Sequence, residues 1–143
     1  MIKLWRDHIR STLAIDPAEH SPEVSSDRIA SFGYALAGII HMLRYATNLR
    51  IQLAAALGAV VMGLWLHIGR TEWGLLIMII TLNIFAEFIN AAVEAAVNLA
   101  SPEWHPLPQL AKDVAAGAVL VMTLASIAIG LVVFGPILWE RLT

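Results

Sequence analysis

Residues 73–99 read WGLLIMIITLNIFAEFINAAVEAAVNL, and this stretch decides what kind of protein the chain is. At about 1.5 Å of rise per helical residue it extends roughly 40 Å, more than the ~30 Å hydrocarbon core of a bilayer. Its strongly polar members are Asn83, Glu87, Asn90, Glu94 and Asn98. At about 100° per residue they fall at roughly 0°, 40°, 340°, 20° and 60°, one narrow arc of an otherwise apolar cylinder. A soluble helix of this kind would expose an apolar surface around most of its circumference. A membrane span instead turns the polar arc toward a protein interior or a water-filled cavity.

Two further stretches repeat the apolar character. Residues 51–68, IQLAAALGAVVMGLWLHI, carry strongly polar side chains only at Gln52 and His67, and residues 114–139 carry no charge at all. Three spans follow, with Gly69-Arg70-Thr71-Glu72 read as the turn between the first two. Gly135-Pro136 is expected to break or kink the third, because proline removes a helical donor. Trp73 and Trp139 stand where interfacial aromatics sit. The composition agrees: 59% of the 143 residues are hydrophobic and 14% charged, whereas soluble chains carry about 25% charged residues. A net charge of −2 with no dense basic stripe argues against nucleic acid as a partner. The absence of cysteine excludes disulfides and thiolate metal sites.

Lys3, Arg6, Arg10, Arg28, Arg44 and Arg50 precede the first span and Lys112 lies between the second and third, leaving Arg70 and Arg141 on the other side. The positive-inside rule then places the N-terminus in the cytoplasm. The first fifty residues divide into an interfacial amphipathic helix at 1–15, a polar proline-punctuated linker at 16–26, and a second amphipathic surface helix at 27–48. On that second helix Phe32, Leu36, Ile39, Ile40 and Leu43 share a face. Residues 27–143 form the membrane domain, and alanine richness in its spans suits close helix packing.

An ionisable side chain at mid-membrane costs roughly 2.5–3.5 kcal/mol on insertion scales, so two glutamates among three asparagines point to chemistry rather than to helix adhesion. Desolvation makes a carboxylate a better proton acceptor, and Glu87, toward the apolar end of the stripe, suits a general base for a substrate presented from the bilayer. Glu94, two turns nearer the cytoplasm, can hold Mg2+ together with phosphate oxygens. Asn90 can hydrogen-bond either group without adding charge. In the loop read at 100–113, Lys112 can neutralise phosphate charge, and Asp113 can cap the third span or bond a polar ligand.

The run from Ala86-Glu87-Phe88-Ile89-Asn90 through Glu94, the segment Ser101-Pro102-Glu103-Trp104-His105-Pro106-Leu107, and Ala111-Lys112-Asp113-Val114-Ala115-Ala116-Gly117-Ala118 closely resemble the bacterial diacylglycerol kinase/undecaprenol kinase family. Ser31-Phe32-Gly33-Tyr34-Ala35 and Asn48-Leu49-Arg50-Ile51 are similar to that family's surface helix and the start of its first span. The resemblance covers about residues 28–138. It implies an all-α, three-span enzyme of the bacterial inner membrane, a homotrimeric helical bundle with active sites shared between subunits. Such an enzyme transfers the ATP γ-phosphate, with Mg2+, to a membrane lipid hydroxyl at the cytoplasmic face. By motif position Glu87 matches the catalytic base, Asn90 the asparagine beside it and Glu94 the metal ligand. Glu103, Trp104, His105, Lys112 and Asp113 match nucleotide-contacting positions; Tyr34 matches an aromatic near the nucleotide, and Arg28 a basic residue of the surface helix. The 101–107 and 113–120 segments look more like the undecaprenol branch.

Two positions depart from the family pattern. Ala46 stands where the family usually has an acidic metal partner four residues before the arginine matching Arg50, and Asn98 stands where it usually has Asp. Both remove negative charge near the expected Mg2+–ATP site. They motivate an alternative expectation, a catalytically impaired kinase-like membrane protein that binds lipid or nucleotide.

Overall fold

The computed structural model describes residues 28–101 and 106–143. The expected interfacial helix at 1–15, the linker at 16–26, and Glu103, Trp104 and His105 lie outside the described residues, as does the side chain of Arg28. Four helices follow in order: α1 (Arg28–Tyr45), α2 (Thr47–Leu66), α3 (Arg70–Ala100) and α4 (Pro106–Leu142), with no strand among the described residues. Of these, α2, α3 and α4 are long and apolar enough to cross a membrane, and the protein is an all-helical membrane protein.

The chain divides into two units, Met1–Ile40 and His41–Thr143. In the first, the described residues belong to α1, and Phe32, Tyr34, Leu36, Ile39 and Ile40 are exposed along it. In the second, the end of α1 carries His41 stacked on Tyr45 with ring centroids 4.8 Å apart, and the Arg44 guanidinium over the Tyr45 ring. The surface helix read at 27–48 stops at Tyr45. Ala46 takes an extended conformation (φ −82°, ψ 103°), and α2 begins at once at Thr47, four residues earlier than the apolar run. Two backbone bonds bracket the break, Ala46 N donating to Met42 O and Arg50 N to Ala46 O.

The first and second spans meet in a tight turn. His67 adopts the left-handed conformation (φ 55°, ψ 47°), its N–H donates to Leu64 O, and that of Ile68 to Gly63 O. This double bond pattern closes a helix C-terminus and draws the residue beyond the cap back onto the last turn. Gly63 makes room for it: a Cβ there would stand 3.0 Å from Ile68 Cδ1 and 3.1 Å from the Trp73 ring. Arg70, Thr71 and Glu72 are not turn residues as their composition suggested but the opening of α3, with Glu72 in the first turn, where a carboxylate complements the helix dipole.

Pro136 does not break α4, which continues through it to Leu142. Membrane helices tolerate proline because the surroundings and local adjustment can re-satisfy the freed carbonyl. The loop read at 100–113 is shorter than its composition implied. α3 runs to Ala100 and α4 starts at Pro106, proline being well suited to the first helical position. Lys112 and Asp113 therefore lie inside α4, and Asp113 does not cap it.

α3 and α4 make the most extensive pairing, and α2 packs more on α3 than on α4. The buried core sits at the turn end, where Leu66, Ile68, Leu76, Val133 and Phe134 pack together. At 31 and 37 residues, α3 and α4 outrun the 20-residue α2, by about 16 Å and 25 Å at 1.5 Å per residue.

Candidate functional site

The five polar residues of α3 share one arc, and their different depths follow from what stands opposite each. Glu87 is the most deeply buried, 4% exposed, facing α2, where Gln52 Nε2 donates to its Oε2 at 3.4 Å. Asn83, one turn deeper into the bundle, is half-buried and meets α4: Thr123 Oγ1 lies 3.5 Å from Asn83 Oδ1 while also donating to its own helix at Val119 O, 2.9 Å away. Asn90 is half-buried, whereas Glu94 and Asn98 are exposed.

The change in depth has a simple cause. With Gln52 opposite Glu87 and the two helices antiparallel, α2 begins at Thr47, about 7–8 Å further along by helical rise. Glu94, about 10 Å from Glu87 along α3 by the same measure, lies past that end. The stripe thus runs from a sealed interior to an open rim in about two turns. On the rim Lys112, half-buried on α4, donates from Nζ to Asn98 Oδ1. Asp113 beside it is exposed.

The structure therefore brings Lys112 to Asn98 and keeps Glu87 apart from both, roughly 16 Å away along α3. Tyr34 is exposed on α1, in the unit Met1–Ile40. Among the described residues no three acidic, histidine or cysteine side chains come together as a cation cage. What remains fits magnesium in its usual protein setting, one or two carboxylates completed by substrate phosphates and water, with Glu94 as the carboxylate.

Neither partner of the stripe was paired with it from the sequence. Gln52 was visible as a lone polar residue in an apolar span, and Thr123 as a hydroxyl in a chargeless one. What neither pattern contained was the register between helices that sets Gln52 against Glu87 and Thr123 against Asn83. Thr81, outside the polar arc, bonds back to Ile77 O at 2.8 Å, as a threonine in an apolar helix is free to do. Arg50, at the start of α2, donates from Nη2 to Thr47 Oγ1 at 3.2 Å.

The arrangement offers a buried carboxylate on Glu87, an exposed one on Glu94 and the half-buried Lys112 at the rim, on helices whose remaining surface is largely apolar. The family model for prokaryotic diacylglycerol kinase matches residues 33–134. The undecaprenol kinase of Bacillus subtilis is 34% identical over 122 residues, covering 85% of this chain and 98% of that protein. The diacylglycerol kinase of Escherichia coli is 31% identical over 113 residues, 79% of this chain and 89% of its own length. That of Synechocystis is 30% identical over 109 residues, 76% of this chain and 62% of that protein.

Proposed function

Because the chain belongs to the prokaryotic diacylglycerol kinase family, a family of lipid kinases, we propose that it transfers the γ-phosphate of ATP to the hydroxyl of a membrane lipid alcohol, a polyprenol in preference to diacylglycerol. The observation that carries this reading is the graded stripe of α3, with Glu87 buried against Gln52 and Glu94 exposed two turns away. The similarity to the Bacillus subtilis undecaprenol kinase, nearly end to end for that protein, supports the choice of polyprenol.

In the proposed reaction the lipid hydroxyl enters from the bilayer side and meets Glu87. Its oxygen forms a bond to the γ-phosphorus, the bond from that phosphorus to the ADP oxygen breaks with its electron pair, and the hydroxyl proton passes to the Glu87 carboxylate. Asn90, one turn along the same face, orients the reacting groups through neutral hydrogen bonds. Lys112, held by Asn98, offsets the charge of the transferring phosphoryl group. Glu94, together with phosphate oxygens, would hold Mg2+, whose charge would offset that of the triphosphate. Tyr34, Arg28, Glu103, Trp104, His105 and Asp113 belong to the nucleotide side of this reading. The site faces the cytoplasm across the inner membrane, with the N-terminus on the same side, and a homotrimer completes it.

The test is direct. Purified protein is incubated with labelled ATP, Mg2+ and a panel of polyprenol and diacylglycerol acceptors, and the lipids are separated by chromatography. Label in the polyprenol monophosphate is the expected result; no labelled lipid from any acceptor overturns the reading. A second reading, a kinase-like protein that binds lipid or nucleotide without transferring phosphate, is favoured by Ala46 at the helix break and by the neutral Asn98 on Lys112. The double substitution Ala46→Glu with Asn98→Asp separates the two. If the native chain is already active, the added acids lower its Mg2+ requirement without creating the activity. If only the double variant labels lipid, the binding reading stands.

A further inference from the structure

The charges at the open rim have the wrong sign for a site built around a divalent cation. Among the described residues Arg44, Arg50 and Lys112 stand at that end of the helices against Glu94 and Asp113, so the cations are in excess by one. Acids in place of Ala46 and Asn98 would make the acids the larger set instead. These two positions therefore reverse the sign of the rim. A surface with a positive excess repels Mg2+ and draws phosphate.

The contact between α3 and α4 at the rim carries the point further. Lys112 Nζ donates to Asn98 Oδ1, and the orientation of the amide is forced, because an ammonium has only donors and its partner must be an acceptor. The Asn98 amide nitrogen, itself a donor, is then left on the other branch of the side chain, and the ammonium keeps N–H groups beyond the one given to Asn98. An aspartate in the same place would hold Lys112 as firmly, but it would cancel the charge and set a second carboxylate oxygen against any approaching anion. Asn98 holds the lysine and leaves its charge whole. Lys112 is half-buried and Asn98 exposed, so the charge is shielded from water on one side and reachable from the other, where a charge-assisted hydrogen bond is stronger than in open solvent. An ammonium beside an amide N–H, with no carboxylate between them, is chemistry that receives phosphate oxygens.

We propose that Asn98 sets the metal dependence of nucleotide binding in this chain: by holding Lys112 without neutralising it, Asn98 lets the rim bind the triphosphate of ATP directly, with no divalent cation required for binding and Mg2+ needed only for transfer. The inference deepens the kinase reading and rests on it for the identity of the nucleotide. Asn98 is a positioning residue that acts through Lys112. Glu94, one turn before Asn98 on α3 and exposed, remains to hold Mg2+ on phosphates that are already docked. Binding and transfer thus place different demands on the cation, and the neutral side chain at position 98 is what separates them.

The experiment is equilibrium dialysis of labelled ATP against the full chain in detergent micelles, once with EDTA and once with Mg2+. For the native chain, which needs no variant to fold, the Kd in EDTA is expected within about threefold of the Kd in Mg2+. Asn98→Asp keeps the contact with Lys112 and cancels its charge. It is expected to raise the Kd in EDTA about tenfold, the worth of a hydrogen bond to a charged group, and the Kd in Mg2+ by less than about threefold. A contact that merely clamps α3 to α4 would answer the same substitution with a later unfolding transition and no change in the ratio of the two Kd values. That result overturns the proposal, as does native binding that is lost in EDTA. Lipid labelling is measured on the same preparations. Metal-free binding without labelled lipid sustains the inference and removes the transfer reading; labelled lipid with binding only in Mg2+ does the reverse.

Discussion

Around the turn between α2 and α3, Leu66, Ile68, Leu76, Val133 and Phe134 are packed against one another, Gly63 admits Ile68 and Trp73 at contact distance, and the helix end is closed by two backbone bonds. At the opposite end of the same helices Glu94, Asn98 and Asp113 are exposed, Lys112 is half-buried, and α2 has already stopped. The first region is apolar and fully packed. The second has polar groups with room left around them. Between the two stands Glu87, buried like the first and ionisable like the second. A short three-helix membrane protein has little interior, and this one places its packing at one end and leaves the other open. Substitutions at the two ends are therefore expected to separate, stability responding at the turn and turnover at the rim.

The largest effect is expected at the boundary. Glu87→Gln keeps the size of the side chain and its contact with Gln52 while removing the proton acceptor. Loss of a general base costs about 10²–10⁴-fold in rate, so labelled lipid should fall to background while the helical content and the size-exclusion profile remain those of the native chain. Retention of most turnover would remove Glu87 from the chemistry and join the boundary to the packed end.

The same contrast governs how much could be read from the residues alone. The packed and apolar features were legible: three charge-poor runs gave three spans, and the offsets of Asn83, Glu87, Asn90, Glu94 and Asn98 gave one polar face, because both depend only on helix geometry within a segment. The ends of elements were less so. Arg70, Thr71 and Glu72 look like turn residues, yet a carboxylate in the first turn favours the helix that contains it. Pro136 looks like a stop and is carried through by a long apolar helix. The order of depth was legible, Glu87 toward the apolar end and Glu94 nearer the rim, but not where along the stripe the burial ends. Glu87 and Glu94 are equivalent on a helical wheel, and only the length of α2 decides that one is buried and the other exposed. For the same reason Gln52 was an unremarkable polar residue until its register against α3 was known.

At the packed end a smaller effect is expected, and on a different observable. Gly63→Ala places a methyl group 3.0 Å from Ile68 Cδ1 and 3.1 Å from the Trp73 ring, closer than carbon atoms pack. Overpacking of this kind costs about 1–3 kcal/mol. Because lipid is as apolar as the core, the cost comes from lost fit rather than from transfer to water. Unfolding in mixed detergent should shift accordingly, with KM for ATP and for lipid unchanged in the fraction that remains folded. A KM change without loss of stability would mean that the turn communicates with the rim and that the division between the ends is false.

The smallest expected effect lies in the same turn and has the opposite sign. His67 holds a left-handed backbone (φ 55°), a conformation that costs a residue with a Cβ about 1 kcal/mol or more relative to glycine. Its ring Nδ1 lies 3.1 Å from Trp65 O, an exposed local contact that recovers part of that cost. Glycine at this position removes the steric cost together with the ring contact, and it also increases the freedom of the unfolded chain. The net result expected for His67→Gly is a stabilisation of about 0.5 kcal/mol, the difference between relieved strain and added chain entropy. The change should be read as a slightly later unfolding transition with turnover unaltered. If the variant is instead destabilised by as much as Gly63→Ala, the imidazole contact and not the double backbone bond closes α2. The packed end would then depend on a polar group after all, and the contrast with the rim would be one of exposure alone.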